Sequence, residues 1–256
     1  MRTTNLLSTL VAGLLCAILS LPSYGSAIVI APGESPPGAY LPLSLFGVDP
    51  IGSVGDETIS NFNVPSFTFA GQSWTRLGIV SNGYALAGGG TQAGVQFLNA
   101  SLPNNTAPRN MLAPFWTDLN PAASGAVRIA VLTDGVDQWI VVDWNAVRNF
   151  SDATLNSFEL WLGTNGDANP AEDISFVYGL VGNGDGGLLT VGAQDASGTV
   201  GDTYYFNGVG TLPVRGTQLK VTAHDLPVSV PEPATIALFG LALAGMLVSR
   251  RRQHEL

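Results

Sequence analysis

The sequence predicts an all-β domain, an antiparallel β-sandwich or barrel of about ten strands, flanked by an N-terminal signal helix and a C-terminal transmembrane helix. Three observations carry this prediction. Short apolar segments recur between turn residues, the 31 glycines lie mostly in small clusters between those segments, and one long apolar run lies near each end. Glycine clusters are unfavourable in helices and common in the turns of β structure. Regularly spaced short strands are typical of sandwiches and barrels.

The predicted strands follow one another from residue 67 onward, about ten residues apart. Asn82-Gly83 and Asp134-Gly135 lie between apolar segments and predict hairpins, because such pairs accept the positive φ of tight turns. Trp144 and Trp161 are predicted to lie in the core. The predicted strands are Phe67–Ala70, Thr75–Val80, Tyr84–Ala87, Met111–Trp116, Ala126–Leu132, Gln138–Trp144, Ser157–Gly163, Ile174–Tyr178, Leu188–Ala193, Thr203–Phe206 and Gln218–Thr222.

Charge and cysteine content exclude several classes of function. Residues 28–233 contain 6 arginine and lysine residues against 18 aspartate and glutamate residues, which gives a net charge of −12. Such an acidic surface repels phosphate backbones, so we expect no nucleic-acid partner. Cys16 is the only cysteine and lies in the N-terminal apolar run, so the exported domain has no thiol nucleophile and no thiolate metal ligand.

The N-terminal end has the pattern of a secretory signal peptide. A short basic start precedes an apolar stretch from Leu6 to Leu21, and small residues follow as far as Ala27. Cleavage is predicted after Ala27. A lipoprotein signal is rejected, because Leu15 occupies the position before Cys16 where a small residue is needed.

The C-terminal end combines a short motif, an apolar run and a cluster of positive charge. Pro231, Glu232 and Pro233 precede 15 apolar residues, Ala234–Val248, and Arg250, Arg251 and Arg252 follow as a cytoplasmic stop. As a helix the apolar run is about 22 Å long, shorter than the hydrocarbon core of roughly 30 Å. This arrangement resembles the PEP-CTERM sorting signal of Gram-negative bacteria. The resemblance implies an exosortase, a membrane processing enzyme, as partner, with transient membrane insertion. An ordinary tail anchor is the alternative.

The middle of the chain has a second resemblance. Five segments occur in the order found in nidogen-like (NIDO-like) extracellular modules: residues 113–119 (APFWTDL), 139–144 (WIVVDW), 157–162 (SFELWL), 174–179 (ISFVYG) and 191–194 (VGAQ). The similarity covers about Leu77 to Val221 and implies an extracellular interaction module without catalysis. Residues 167–172 are an insertion between two paired strands, which makes the hairpin there uncertain.

The two resemblances complete the predicted organisation. A signal peptide at 1–27 and an irregular lead-in at 28–66, with room for one short strand, precede the NIDO-like domain at 67–224. A linker at 225–230 leads to the sorting signal at 231–252, which includes a membrane helix at 234–248, and a tail at 253–256 follows.

Few side chains permit catalysis or metal binding. His224 is the only histidine of the exported domain, and on a predicted linker it is a poor candidate for a Ser-His-Asp triad. Asp118, Asp143 and Glu159 lie on or beside predicted strands, where two acids at a suitable separation would suit a glycosidase. Oxygen-rich loops at Asp167 to Asp173 and around Asp185 are weak calcium candidates.

We therefore expect a non-enzymatic protein, exported through an inner-membrane-anchored precursor and then located at the cell surface or in an exopolysaccharide matrix. The expected activity is binding or adhesion, with exopolysaccharide or another surface protein as partner and no required cofactor. A secreted, carboxylate-dependent glycan hydrolase is the alternative.

Overall fold

The computed structural model describes residues 24–52, 54–166 and 173–227, in which a compact unit runs from Ser26 to Asp225. The described residues contain two short 3-10 helices, Leu43–Phe46 and Gln92–Gly94, and no α-helix. The all-β prediction is therefore confirmed. The fourteen strands are β1 (Tyr24–Pro32), β2 (Ile59–Phe69), β3 (Gln72–Val80), β4 (Tyr84–Ala87), β5 (Met111–Trp116), β6 (Leu119–Asn120), β7 (Ala126–Thr133), β8 (Gln138–Asn149), β9 (Leu155–Gly163), β10 (Ile174–Tyr178), β11 (Thr190–Gln194), β12 (Gly201–Phe206), β13 (Val209–Gly210) and β14 (Gln218–Pro227).

The strands form two open antiparallel sheets of seven strands each, so the domain is a sandwich and not a closed barrel. Sheet A has the order β1-β14-β10-β9-β8-β6, and β7 also pairs with β8. Sheet B has the order β13-β12-β11-β5-β4-β3-β2. The prediction of about ten strands is too low partly because β6 and β13 have two residues each, too few to show alternation.

The main core lies between the two sheets and is held by aromatic contacts. Phe115 of sheet B and Phe158 of sheet A have ring centroids 5.1 Å apart, and Trp144 stacks on Phe158 at 5.1 Å. The buried Tyr178 hydroxyl of sheet A donates a hydrogen bond of 2.7 Å to the Pro114 carbonyl oxygen of sheet B. Offset and tilted aromatic pairs add to the stabilisation from buried area. The prediction that Trp144 lies in the core is confirmed.

Both predicted hairpins are present. Gly83 has φ of +77° between β3 and β4, and Gly135 has φ of +97° between β7 and β8. The two glycines differ in their surroundings. A Cβ at Gly83 would overlap the carbonyl oxygen of Phe115, whereas a Cβ at Gly135 would meet nothing within 4 Å.

Residues 33–51, which we call the strap, cross the outer face of sheet A. At one end the Gly33 N–H donates to the Gln218 carbonyl oxygen on β14 at 3.2 Å. At the other end the Ile51 N–H donates to the Val127 carbonyl oxygen on β7 at 2.9 Å. The strap therefore spans from β14 to β7.

A smaller hydrophobic cluster lies beneath the strap. Leu43, fully buried, packs with Val141, Trp161 and Val177 from the outer face of sheet A. Trp161 is therefore buried as predicted, but it lies under the strap and not between the sheets.

The lead-in at 28–66 contains the one short strand that the prediction allows, since β1 extends to Pro32. The expectation of irregular structure is wrong from residue 59 onward, where β2 begins. Pro65 hides β2 in the sequence, because proline lacks the N–H that a ladder needs. The structure accommodates it at a shift of register between Asn63 and Phe67, on the edge strand of sheet B.

Residues 88–110, which we call the cover loop, lie over the outer face of sheet B. Tyr84 and Trp116 project from that face and form an edge-to-face pair at 5.6 Å. The Tyr84 hydroxyl donates to the Gly94 carbonyl oxygen at 2.7 Å, and Trp116 Nε1 donates to the Gln96 carbonyl oxygen at 2.9 Å. These two bonds fasten the cover loop to the sheet.

The two ends of the described chain depart from the predicted boundaries. β1 begins at Tyr24, so the predicted cleavage site after Ala27 lies within it. β14 continues to Pro227, beyond the predicted domain end at residue 224, and His224 lies on this strand and not on a linker. The predicted signal helix, the sorting motif at 231–233 and the membrane helix at 234–248 lie outside the described residues. Within the described ranges, no helix has the length and hydropathy needed to span a membrane.

Candidate functional site

Asp143 and Glu159, two of the predicted acids, are directly opposite each other on β8 and β9. Both are fully buried beneath the strap. Asp143 accepts hydrogen bonds from the Tyr40 hydroxyl at 2.8 Å and the Leu43 N–H at 3.0 Å. The Leu41 N–H donates to Glu159 Oε2 at 3.3 Å. Strap residues therefore supply most of the donors for this pair.

Burial changes the protonation of both acids. The pKa of Glu159 is raised to about 8, mainly by desolvation and also by the nearby charge of Asp143, although the Trp161 Nε1 donor at 3.0 Å lowers it. The pKa of Asp143 is raised to about 6, mainly by desolvation, although the hydrogen bonds from Tyr40 and Leu43 lower it. Glu159 Oε1 has no hydrogen-bond partner in the part of the chain that the structure describes. At neutral pH Glu159 is therefore mostly a neutral acid inside the domain.

This buried pair is closed to a polymer substrate as long as the strap is in place. A glycosidase needs its two carboxyl groups on either side of a bound sugar, with room for a glycosidic bond between them. Asp143 and Glu159 have relative exposures of 0%. The pair therefore ties the strap to sheet A.

The third predicted acid, Asp118, belongs to a different group. Oxygens of Asp56, Glu57 and Asp118 all lie within 4.8 Å of one another. Asp56 and Glu57 precede β2, and Asp118 lies between β5 and β6. Asn82, fully buried in the β3–β4 hairpin, donates to both Glu57 carboxylate oxygens at 3.1 and 3.2 Å and orients that side chain.

Like charges face one another in this acidic group. The pKa of Asp118 is raised to about 6, mainly by desolvation and also by the charges of Glu57, Asp185 and Asp56. The pKa of Glu57 is also raised, mainly by desolvation. One buried oxygen of Asp56 and one of Asp118 have no hydrogen-bond donor within the described residues. Carboxylate oxygens in this arrangement are the ligands that calcium takes, so these three residues could hold such a cation.

The predicted calcium candidates do not form this group. Asp173 forms an ion pair with Lys220 and accepts a hydrogen bond from Trp139 Nε1 at 3.3 Å. Asp185 accepts from the Ser151 N–H at 2.9 Å and acts on Asp118 only through its charge. Asp167 lies outside the described residues.

An open groove of about 400 Å³ lies along the cover loop. Its polar lining comes from Thr91, Gln96, Thr106, Arg109 and Asn110. The remaining lining is glycine, alanine, proline and leucine: Leu86, Ala87, Gly89, Gly90, Ala93, Gly94, Ala107 and Pro108. The lining contains no Asp, Glu, His or Cys, so this groove has donors and acceptors for a ligand but no acid–base pair.

Two amide side chains in the groove are available to a ligand. The side chains of Gln96 and Asn110 make no hydrogen bond with the described residues, although both backbones are held. The Gln96 carbonyl oxygen accepts from Trp116 Nε1, and the Asn110 N–H donates to the Asp195 carbonyl oxygen at 3.0 Å. The groove is therefore formed by fixed backbone that presents free amides.

Reasoning from sequence missed this groove. The one signal was the stretch of residues 88–110 between two predicted strands, because loops longer than about 12–15 residues in compact domains are often functional. It also missed the acidic group, whose members come from separate loops. Pro231, Glu232 and Pro233 and the stop at Arg250, Arg251 and Arg252 lie outside the described residues, so their predicted role rests on sequence.

Comparison with known families identifies both parts of the chain. The chain matches the PEP-CTERM protein-sorting motif at residues 229–252, which marks export from a Gram-negative bacterium through a membrane-held precursor processed by exosortase. Neither the curated proteins nor the solved structures include a match. The NIDO-related model matches residues 36–232, which include both sheets from the strap onward. The chain therefore belongs to the NIDO-related family and carries a PEP-CTERM sorting motif.

Proposed function

We propose that the exported domain is a non-catalytic module that binds glycan in the extracellular matrix or at the cell surface, with the cover-loop groove as the binding site. The observation that carries this proposal is the groove lining. Free amides at Gln96 and Asn110, with hydroxyls at Thr91 and Thr106, suit the hydroxyl groups of a sugar. Ligand sites are typically concave, with a few placed polar groups on an apolar lining.

The arrangement of the acids supports binding over the alternative, a glycan hydrolase. Asp143 and Glu159 are buried beneath the strap, and the groove lining contains no carboxylate. Asp118, the remaining predicted acid, faces Asp56 and Glu57 in a group of like charges. A general acid and a nucleophile or base must both contact the substrate, and the groove lining offers neither.

Export and sorting support the same proposal. Processing by exosortase would release the domain from its membrane-held precursor outside the cell. The net charge of −12 favours solubility, and a domain without cysteine does not depend on the redox state of its compartment. Retention by extracellular polymer would then keep the released protein near the cell.

The test uses a fragment of residues 28–230, which contains nearly all of the compact unit, incubated with exopolysaccharide from the host. Co-sedimentation measures retention, and an assay for reducing ends measures cleavage. We expect retention without new reducing ends. Gln96→Ala should weaken retention roughly tenfold, since it removes a free amide and no internal hydrogen bond. Gln72→Ala, on an exposed position outside the groove, should not.

Two results would contradict the proposal. New reducing ends that disappear in Asp118→Asn would favour the hydrolase alternative. Equal retention of the wild-type, Gln96→Ala and Gln72→Ala fragments would place the binding site outside the groove.

A further inference from the structure

Two arginine side chains lie at the cover-loop groove. Arg109 is part of its lining. Arg76, on β3, lies beside Gly89, because a Cβ at Gly89 would be 3.0 Å from Arg76 Nε. Gly89, with φ of +82°, is itself part of the lining. The groove therefore has one guanidinium group in its lining and a second beside a lining glycine.

Arg109 is held in position by its neighbours. Its Nη2 donates to the Asn105 carbonyl oxygen at 2.8 Å. Its Nη1 lies against Gly198, which has φ of +68°. A Cβ at Gly198 would overlap this Nη1 atom. A guanidinium group has five N–H donors, so donors are left for a ligand after these contacts.

Neither arginine has an acidic partner among the described residues. In those ranges the ion pair of Lys220 with Asp173 is the one salt bridge present, and it lies outside the groove. The two arginines lack an ion pair there although residues 28–233 contain 18 acidic and 6 basic residues. The nearby Glu57 side chain is turned toward Asn82. The groove therefore carries local positive charge on an acidic protein.

From this geometry we infer that the groove selects acidic glycans, with a uronate carboxylate bound at Arg109 and with Arg76 adding positive charge beside Gly89. The inference rests on the proposed glycan-binding function and specifies its ligand class. Arginine binds carboxylates through paired N–H donors, and such charge-assisted bonds are roughly twice as strong as neutral ones. The free Gln96 and Asn110 amides would bind the hydroxyls of the same chain. The acidic surface elsewhere would keep a polyanion from binding outside the groove.

The experiment compares polygalacturonate with the neutral polymer made from it by reduction of its carboxyl groups. Affinity gel electrophoresis of the 28–230 fragment measures the dissociation constant for each. We expect at least tenfold tighter binding of polygalacturonate. Arg109→Gln should weaken that binding about tenfold or more, Arg76→Gln should weaken it by a smaller factor, and both should reduce binding of the neutral polymer less than they reduce binding of polygalacturonate. Arg215→Gln is the matched control, since Arg215 is exposed, is not part of the groove lining and, unlike Arg76, lies beside none of the lining glycines.

Each other outcome overturns the inference in a distinguishable way. Equal binding of the two polymers, unaffected by the arginine variants, would leave glycan binding intact and remove the selectivity. Equal losses of polygalacturonate binding in the Arg76, Arg109 and Arg215 variants would indicate unspecific attraction of the polymer to positive charge. Arginine-dependent binding of single-stranded DNA at the same strength would show that the groove binds any polyanion. Retention of neither these polymers nor the host exopolysaccharide would overturn the proposed function as well.

Discussion

Replacing Glu159 by glutamine should stabilise the domain at neutral pH. Burial raises the pKa of Glu159 to about 8, from 4.5 in the unfolded chain. At pH 7 folding must therefore protonate this residue. A difference of one pKa unit corresponds to about 1.4 kcal/mol, so protonation at pH 7 costs about 3 kcal/mol of stability.

The sign follows from proton binding. Between pH 4.5 and 8 the folded state binds this proton and the unfolded state does not, so stability falls as the pH rises through that range. Glutamine keeps an oxygen for the Trp161 Nε1 and Leu41 donors and has no charge to remove. Its amide hydrogens replace an atom that already lacks a partner. We therefore expect a gain of up to about 3 kcal/mol at pH 7 and little change at pH 4.

Urea unfolding at pH 4, 5.5, 7 and 8.5 measures the free energy of unfolding of both proteins. Glu34→Gln makes the same chemical change at an exposed position and should alter stability by less than about 0.5 kcal/mol at each pH. A Glu159→Gln variant that is less stable than wild type at pH 7, with an unchanged pH dependence, would show that Glu159 is ionised in the folded domain. The account of the buried pair would then be wrong.

Three further predictions concern other parts of the chain. Gly83→Ala should cost several kcal/mol of stability, because its Cβ would overlap the Phe115 carbonyl oxygen, whereas Gly135→Ala, with open space around it, should cost about 1 kcal/mol; equal losses in urea unfolding would contradict this. In the presence of a chelator, Asp118→Asn should have a higher melting temperature than wild type at pH values above 6 and the same melting temperature below pH 4. The reason is that burial and like charges raise the pKa of Asp118 to about 6. A variant that melts at a lower temperature than wild type at pH 8 would refute this. Two variants of the sorting motif, Glu232→Gln and a variant with both Pro231 and Pro233 changed to Ala, should accumulate as full-length membrane-held precursor in a host with exosortase. Immunoblots that show normal processing of both variants would favour a plain tail anchor.

Local sequence patterns were sufficient to predict much of sheet A and the centre of sheet B. The hairpins at Gly83 and Gly135 follow from turn chemistry, and the inward position of Phe158 and Leu160 follows from alternation. Only the end of β2, from Phe67, was predicted, because Pro65 interrupts the pattern before it, and the register shift that accommodates Pro65 is a property of the paired sheet.

The sites depend on contacts that no local pattern reports. Asp118 meets Asp56 and Glu57 only because the loops before β2 and after β5 come together at Asn82. Asp143 and Glu159 could be placed on strands from sequence, but the strap that buries them comes from 100 residues earlier in the chain. Likewise, Arg76 reaches the groove from β3.

The strap also has a consequence for the order in which the chain folds. Its hydrogen bonds join residues far apart in sequence: Leu43 to Asp143 across 100 positions, and Ser35 to Gln218 across 183. Long loops must close before such contacts form, which makes them slow. The strap needs β7, β8, β9 and β14 as its docking surface, and β14 is the last strand in the chain. The residues that are synthesised early in the domain therefore reach their native positions late, after nearly all of the sandwich has assembled.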